Sequence, residues 1–194
     1  MPLKQTLSAL LFTGVFTVLA GGALSVQAAE DAESRVVPSP EEVEKEAKAN
    51  TKYLAAEALK KAKTILNTYG EFAPFGAGLF QEGQVNFVWA VKPGESTEGI
   101  NPALVLNAVR TALATQAKSG RILGSAVVYQ YRGSSTDGEA QTQVNVELEY
   151  LNGYAEVIAA KYKQGEDGIE YTTSGNQAFE SKIFKSPQNA GAGQ

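Results

Sequence analysis

The chain has 194 residues, is 43% hydrophobic and 20% charged, and contains no cysteine and no histidine. That length and apolar share support one domain with a real core, while the two missing residue types exclude disulfides, thiolate nucleophiles, sulfur-ligated metal sites and the Ser–His–Asp and Cys–His machines. A net charge of −4 without a basic arm argues against nucleic acid and anionic membrane surfaces as partners.

The chain opens as an export signal. Lys4 precedes a nearly continuous apolar or small run over residues 7–18, Gly21 and Gly22 interrupt it, and Val26 and Ala28 hold the small-residue positions before a cleavage point. Cleavage after Ala28 is expected, placing the mature protein in the periplasm or outside the cell. Lys4 is the leader's only charge, so its removal takes the net charge from −4 to −5. The alternative is a retained anchor, because residues 7–26 are just long enough to span a bilayer. Once the leader is removed, no stable membrane anchoring is expected. Residues 29–39 read as a polar linker, 40–185 as a single α+β domain, and 186–194 as a low-complexity, disordered tail.

Ser39-Pro40-Glu41-Glu42 combines a Ser cap, a first-position proline and a Glu three residues after the cap. A helix is expected from there to about Thr68, stopping at Gly70. Its apolar residues Val43, Ala47, Leu54, Ala58, Ala62, Ile65, Leu66 and Tyr69 recur mostly at three- and four-residue spacings. Its Glu- and Lys-rich first turns are expected to protrude or fray, and Lys60, Lys61 and Lys63, which look like a binding patch, to form a solvated face beside Glu57. An aromatic turn over residues 69–76 leads into strands at 77–81 and 84–91, joined at Glu82-Gly83. Gly76-Ala77-Gly78 enters a strand and lacks the Lys-Ser/Thr of a phosphate loop, and Trp89 reads as a core residue.

A loop over 92–99 precedes Asn101-Pro102, the cap and first position of a second helix. Its apolar face is Leu104, Val105, Ala108, Val109, Ala112 and Leu113, and it ends at Ser119-Gly120. Strands follow at 122–132, 144–151 and 154–162, with a turn at 164–168 and short strand candidates at 169–172 and 179–184. The expected fold is therefore α+β: a mostly antiparallel sheet of about five strands, two amphipathic helices on one face, in the order α-β-β-α-β-β-β. That order is similar to a profilin- or roadblock-like arrangement, a likeness of fold that carries no function.

Asn152-Gly153 predicts a two-residue turn, which pairs Tyr150 with Ala155, Glu149 with Glu156 and Glu147 with Ile158. The core face then carries Val144, Val146, Leu148, Tyr150, Ala155, Val157 and Ala159. The exposed face carries Asn145, Glu147, Glu149, Tyr154, Glu156, Ile158 and Tyr162. Glu149 opposite Glu156 is an unfavourable like-charge pair. A neutralising Arg132 or lysine, a weak site for a hard cation such as calcium, or a docking surface for a basic partner would each account for it. The candidate binding residues are Glu147, Glu149, Glu156, Tyr154 and Tyr162; no catalytic residue, metal ligand or cofactor is assigned. Glu147 and Glu149 lie about 7 Å apart along a strand, a spacing an inverting glycosidase uses, but strand alternation alone produces it. Ser134-Ser135 and Lys118-Ser119 read as turn chemistry.

Two landmarks resemble a group of small uncharacterised bacterial proteins over roughly residues 53–184. One is the step from Tyr69-Gly70 to Pro74-Phe75-Gly76; the other is Val146-Glu147-Leu148-Glu149-Tyr150 followed by Leu151-Asn152-Gly153. The resemblance implies no activity, cofactor or catalytic residue, and the leader and linker depart from members that lack an export signal. The leading expectation is a non-enzymatic exported protein that binds a protein or small molecule through the exposed sheet face. The alternatives are an envelope enzyme using carboxylates or tyrosines in a cleft between loop 92–99 and the Pro74-Phe75 turn, and an inhibitor or immunity protein against a basic envelope-acting toxin or hydrolase. The oligomeric state is left open.

Overall fold

A computed structural model describes residues 38–134 and 140–185. The expected leader with its cleavage point at Ala28, most of the linker and the 186–194 tail lie outside the described residues. The elements run α1 (Pro40–Tyr69), β1 (Phe75–Phe80), β2 (Val85–Trp89), α2 (Pro102–Lys118), β3 (Ile122–Ser134), β4 (Ala140–Tyr150), β5 (Ala155–Gly165) and β6 (Gly168–Ala178). The strands form a 6-stranded sheet in the order β2-β1-β3-β4-β5-β6, every neighbouring pair antiparallel. The α+β class holds, with one strand more than expected. No described helix is long and apolar enough to cross a membrane.

α1 begins where its cap residues place it. The Ser39 side chain accepts from the Glu42 N–H, Glu42 reaches back to the Ser39 N–H, and Gly70 closes the helix in the left-handed region at φ 77. Its buried stripe is Ala47, Thr51, Leu54, Ala55, Ala58, Ala62, Ile65 and Leu66. The alanines let the helix axis approach the sheet closely. The first turns protrude as expected, exposed over residues 40–46 except at half-buried Val43, and the helix is tied down further along: the Asn50 side chain donates to the Tyr150 hydroxyl at 2.8 Å, which donates to Glu46 at 2.8 Å. At the other end, Asn67 accepts the Ile169 N–H at 2.7 Å and so clamps the β5–β6 turn.

The two helices lie on opposite faces of the sheet, which corrects the expectation of one covered face. α1 packs over Phe75, Ala77, Leu79, Ala126, Val128, Val144, Val146 and Leu148. α2 packs through Val109 and Leu113 over Val127 and Ile122. Val127 thus faces α2 while its neighbours Ala126 and Val128 face α1, as strand alternation requires. The sequence signal for this is the unbroken small and apolar run of β1 and of Ala126-Val127-Val128, typical of strands buried on both sides. On β1 the α2 side carries Gly76 and Gly78. A Cβ at Gly76 would meet Val109 and Leu113 at 2.9 Å, and one at Gly78 would meet Ile122 at 2.8 Å. These glycines admit the packed α2 layer rather than a phosphate. The apolar face of α2 is narrower than expected: Val105, Val109 and Leu113 are buried, whereas Leu104 is 66% exposed.

The β4–β5 hairpin turns through three residues, not two. The Tyr150 N–H donates to the Tyr154 carbonyl at 2.9 Å, and the Leu151 N–H is drawn away to the Leu123 carbonyl of β3 at 2.9 Å. Gly153 sits in the left-handed region at φ 88, as the third residue of a three-residue hairpin loop does. Pairing therefore runs Glu149–Ala155, Leu148–Glu156, Glu147–Val157 and Val146–Ile158. A shift of one residue turns every β5 side chain to the other face. Tyr154, Ile158 and Tyr162 pack against the α1 core, and Ala155, Val157 and Ala159 leave it. The expected Glu149–Glu156 pair does not form, so the need for a cation or basic partner between them disappears. β6 is also longer than expected, and residues 179–184 form an irregular strap instead of a strand.

Candidate functional site

The five expected site residues fall into two groups on opposite faces. Glu156 and Tyr154 edge a shallow depression on the α1 side with Lys48, Lys52, Ile158 and Asn176. Burial, then the nearby Glu156, pushes the Tyr154 hydroxyl's pKa up. Tyr162, also on the α1 side, is committed inside the molecule: its hydroxyl accepts from the Gln130 side chain at 2.8 Å, while Gln130 accepts the Phe72 N–H at 3.0 Å. This chain of bonds pins the extended segment 71–74 to β3.

Glu147 and Glu149 lie on the α2 side and are buried, at 6% and 1% exposed. Burying carboxylates requires compensation, and each has a full set of donors. Glu149 accepts from the Ser181 hydroxyl and from the N–H groups of Lys182 (3.0 Å), Ile183 (2.8 Å) and Phe184 (3.0 Å). One carboxylate thus receives three consecutive backbone donors and holds the strap over β4, with Ile183 and Phe184 in the α2 core. Glu147 takes the Arg110 guanidinium through contacts of 2.7, 2.8 and 3.1 Å, the Lys182 ammonium at 3.1 Å and the Tyr129 hydroxyl at 3.4 Å. Burial and then the Glu147 charge push Tyr129 up. Both carboxylates bind the protein's own chain, and neither opens on a cleft as a glycosidase pair would. No group of three or more acidic residues among the described residues is placed to share a metal ion.

Concavity lies elsewhere, on both sides of segment 71–74. One groove of about 460 Å³ is lined by Tyr69, Phe72 and Trp89, with Glu71, Lys92, Glu95 and Glu98 around them. Trp89 belongs partly to the core, as its ring stacks on Phe75 at 4.7 Å, but it also walls this groove. The Lys61 ammonium lies 6.0 Å from the Trp89 ring, so the indole already attracts a cation. Loop 90–101 forms the far wall. The Lys92 N–H donates to Glu95 at 2.9 Å and the Thr97 hydroxyl to Glu71 at 2.6 Å. Gly94, at φ 85, lies so close to Tyr69 that a Cβ would sit 2.9 Å from its ring. The second groove, about 520 Å³, shares Glu71, Phe72, Ala73 and Thr97; Pro74, Ile100, Pro102, Ala103 and Leu106 form its apolar part, and Tyr129, Gln130 and Arg132, the last near Glu71 at 3.9 Å, its polar part.

Both grooves lie beside the cleft expected between loop 92–99 and the Pro74-Phe75 turn: the first joins residues 71–73 to residues 92–98, and the second reaches Pro74 but only Thr97 of that loop, while the five expected binding residues do not share one face. Sequence reasoning missed Arg110, Ser181 and the strap. Two signals pointed to them: acidic residues on a strand buried by its neighbours need partners, and Ile183-Phe184 is an apolar anchor following polar residues. Comparison of the chain with protein-family models, with curated proteins and with solved structures found no match.

Proposed function

We propose that the protein is an exported, non-enzymatic binding protein whose ligand occupies the Trp89 groove. The reading rests on one observation: three carboxylates, Glu71, Glu95 and Glu98, and one lysine, Lys92, surround an aromatic wall of Tyr69, Phe72 and Trp89. That chemistry fits an ammonium or guanidinium group on a short apolar stem. The acidic balance of the chain draws such a ligand in. A cation on an exposed aromatic face gains about 1 kcal/mol, and each exposed carboxylate adds at most about 1 kcal/mol. For a small organic cation these add to at most ~4 kcal/mol, which places its Kd at about millimolar or weaker; a longer basic peptide filling the groove would bind more tightly.

Trp89 is the chain's single tryptophan, so its fluorescence reports this groove without a label. Titration with arginine amide or spermidine to tens of millimolar is expected to change the emission saturably. In a Glu95→Lys, Glu98→Lys variant the response is expected to weaken at least tenfold. A flat titration, or one unchanged in that variant, would remove the groove as the binding site. An inhibitor of a basic partner would use the same acidic rim, and an envelope enzyme would use the same cleft.

A further inference from the structure

A third groove, of about 510 Å³, runs between the C-terminal half of α2 and the strap. It is separate from the Trp89 groove, and the binding role proposed there stands or falls without it. Its lining brings together Lys118 of α2, Lys182 of the strap and Lys185 just after it, and contains no acidic residue. Between the lysines lie Ala114, Ala117, Leu151, Ile183 and Phe184. Like charges converge here although the chain as a whole is acidic. Lys182 is held by Glu147 and stands 5.3 Å from the Phe179 ring. No ion pair among the described residues involves Lys118 or Lys185. The strap wall is fixed by the four bonds that Glu149 accepts, so Lys182, Phe184 and the adjoining Lys185 are presented on an anchored support rather than on a loose end.

We propose that this groove binds a free, single-tailed anionic amphiphile: a carboxylate or phosphate head among the lysines, with a medium-length alkyl chain along Leu151, Ile183 and Phe184. The volume lies within the range of small-ligand sites. The lysine rim complements the head, and the apolar floor matches a tail. An anionic bilayer is the poorer occupant, because the protein's net negative charge opposes approach to such a surface.

The test uses sodium decanoate below its micellar concentration, with hexanoate, inorganic phosphate and decylammonium as comparisons. Binding is followed by amide chemical shifts of the labelled protein. Decanoate is expected to bind saturably, shifting Ala117, Lys118, Leu151 and residues 182–185. Full burial of a methylene is worth about fourfold in affinity, so four extra methylenes in a half-open groove should favour decanoate over hexanoate by at least about tenfold. Phosphate alone and decylammonium should each bind at least tenfold more weakly. The exposed-residue variant Lys118→Glu, Lys185→Glu should also lose at least tenfold; if it unfolds, Lys118→Gln, Lys185→Gln serves in its place. Absence of saturable binding, shifts confined to another groove, equal binding of decylammonium, or full affinity in the lysine variant would each overturn the proposal. So would lysine-dependent capture by anionic lipid vesicles without decanoate binding, since that behaviour belongs to a membrane contact.

Discussion

Glu147 and Glu149 sit two residues apart along β4, yet they do different work. Glu147 gathers charged side chains, whereas Glu149 gathers backbone N–H groups. Removing one partner of a buried ion pair strands the other, at a cost of about 3–5 kcal/mol. Arg110→Met should fall at the low end of that range, since Lys182 still neutralises part of the Glu147 charge. Adding Glu147→Gln should recover much of the loss, a coupling that urea denaturation of the two single variants and the double variant would measure. Glu149→Gln replaces one of two acceptor oxygens by a donor facing N–H groups. It should lower stability by about 2–3 kcal/mol and loosen the strap, seen as faster amide exchange at Ile183 and Phe184. These two residues were conspicuous in the sequence as acids on an alternating strand. Their role was not legible, because Arg110, Lys182 and the strap N–H groups are distant in the chain and converge only in three dimensions.

At the scale of elements, local signals carried well where the physics is local. The Ser39 capping box, the Gly70 stop and the Asn101-Pro102 start lie where the sequence put them. What failed was a choice between two turns that share the same Asn-Gly pair. The Leu151 N–H bonds to β3 instead of completing a two-residue loop, and a third strand's carbonyl leaves no trace in the hairpin's own residues. The side of the sheet chosen by α2 left one trace, the unbroken small and apolar runs of β1 and residues 126–128, and is set by the absent side chains of Gly76 and Gly78. Gly76→Ala should therefore cost about 1–3 kcal/mol through overpacking against Val109 and Leu113. Gly153→Ala meets open conformational strain at φ 88 instead and should cost about 1–2 kcal/mol. Thermal melts of both variants check the two magnitudes, and only Gly76→Ala should shift the methyl resonances of α2.

For the whole molecule, the absence of histidine shapes the response to pH. No side chain has an ordinary pKa between about 6 and 8, so stability should be nearly flat across that interval. The alkaline side differs. Tyr171 is pushed well above the ordinary tyrosine range, chiefly by burial and then by Tyr162, while its hydroxyl donates to the Leu59 carbonyl at 2.9 Å. Tyr150 is raised by burial and by its bond to Glu46. A raised phenol pKa means the folded state favours the neutral form. Its contribution is complete below about pH 10 and is lost as pH climbs through the folded-state values. Urea midpoints should thus fall steeply above about pH 10, and less steeply in Tyr171→Phe, whose neutral-pH stability drops by about 1 kcal/mol with the lost hydrogen bond.

The strap carries a consequence for the order in which the molecule is completed. Glu149 stands on β4, but the donors that satisfy it follow β6, after every strand of the sheet has been made. Until those residues emerge, the growing chain holds a carboxylate at the centre of its sheet with nothing to receive it. A chain cut after Ala178 would leave Glu149 buried without these donors, and is expected to lose about 3–5 kcal/mol of stability, read by urea denaturation.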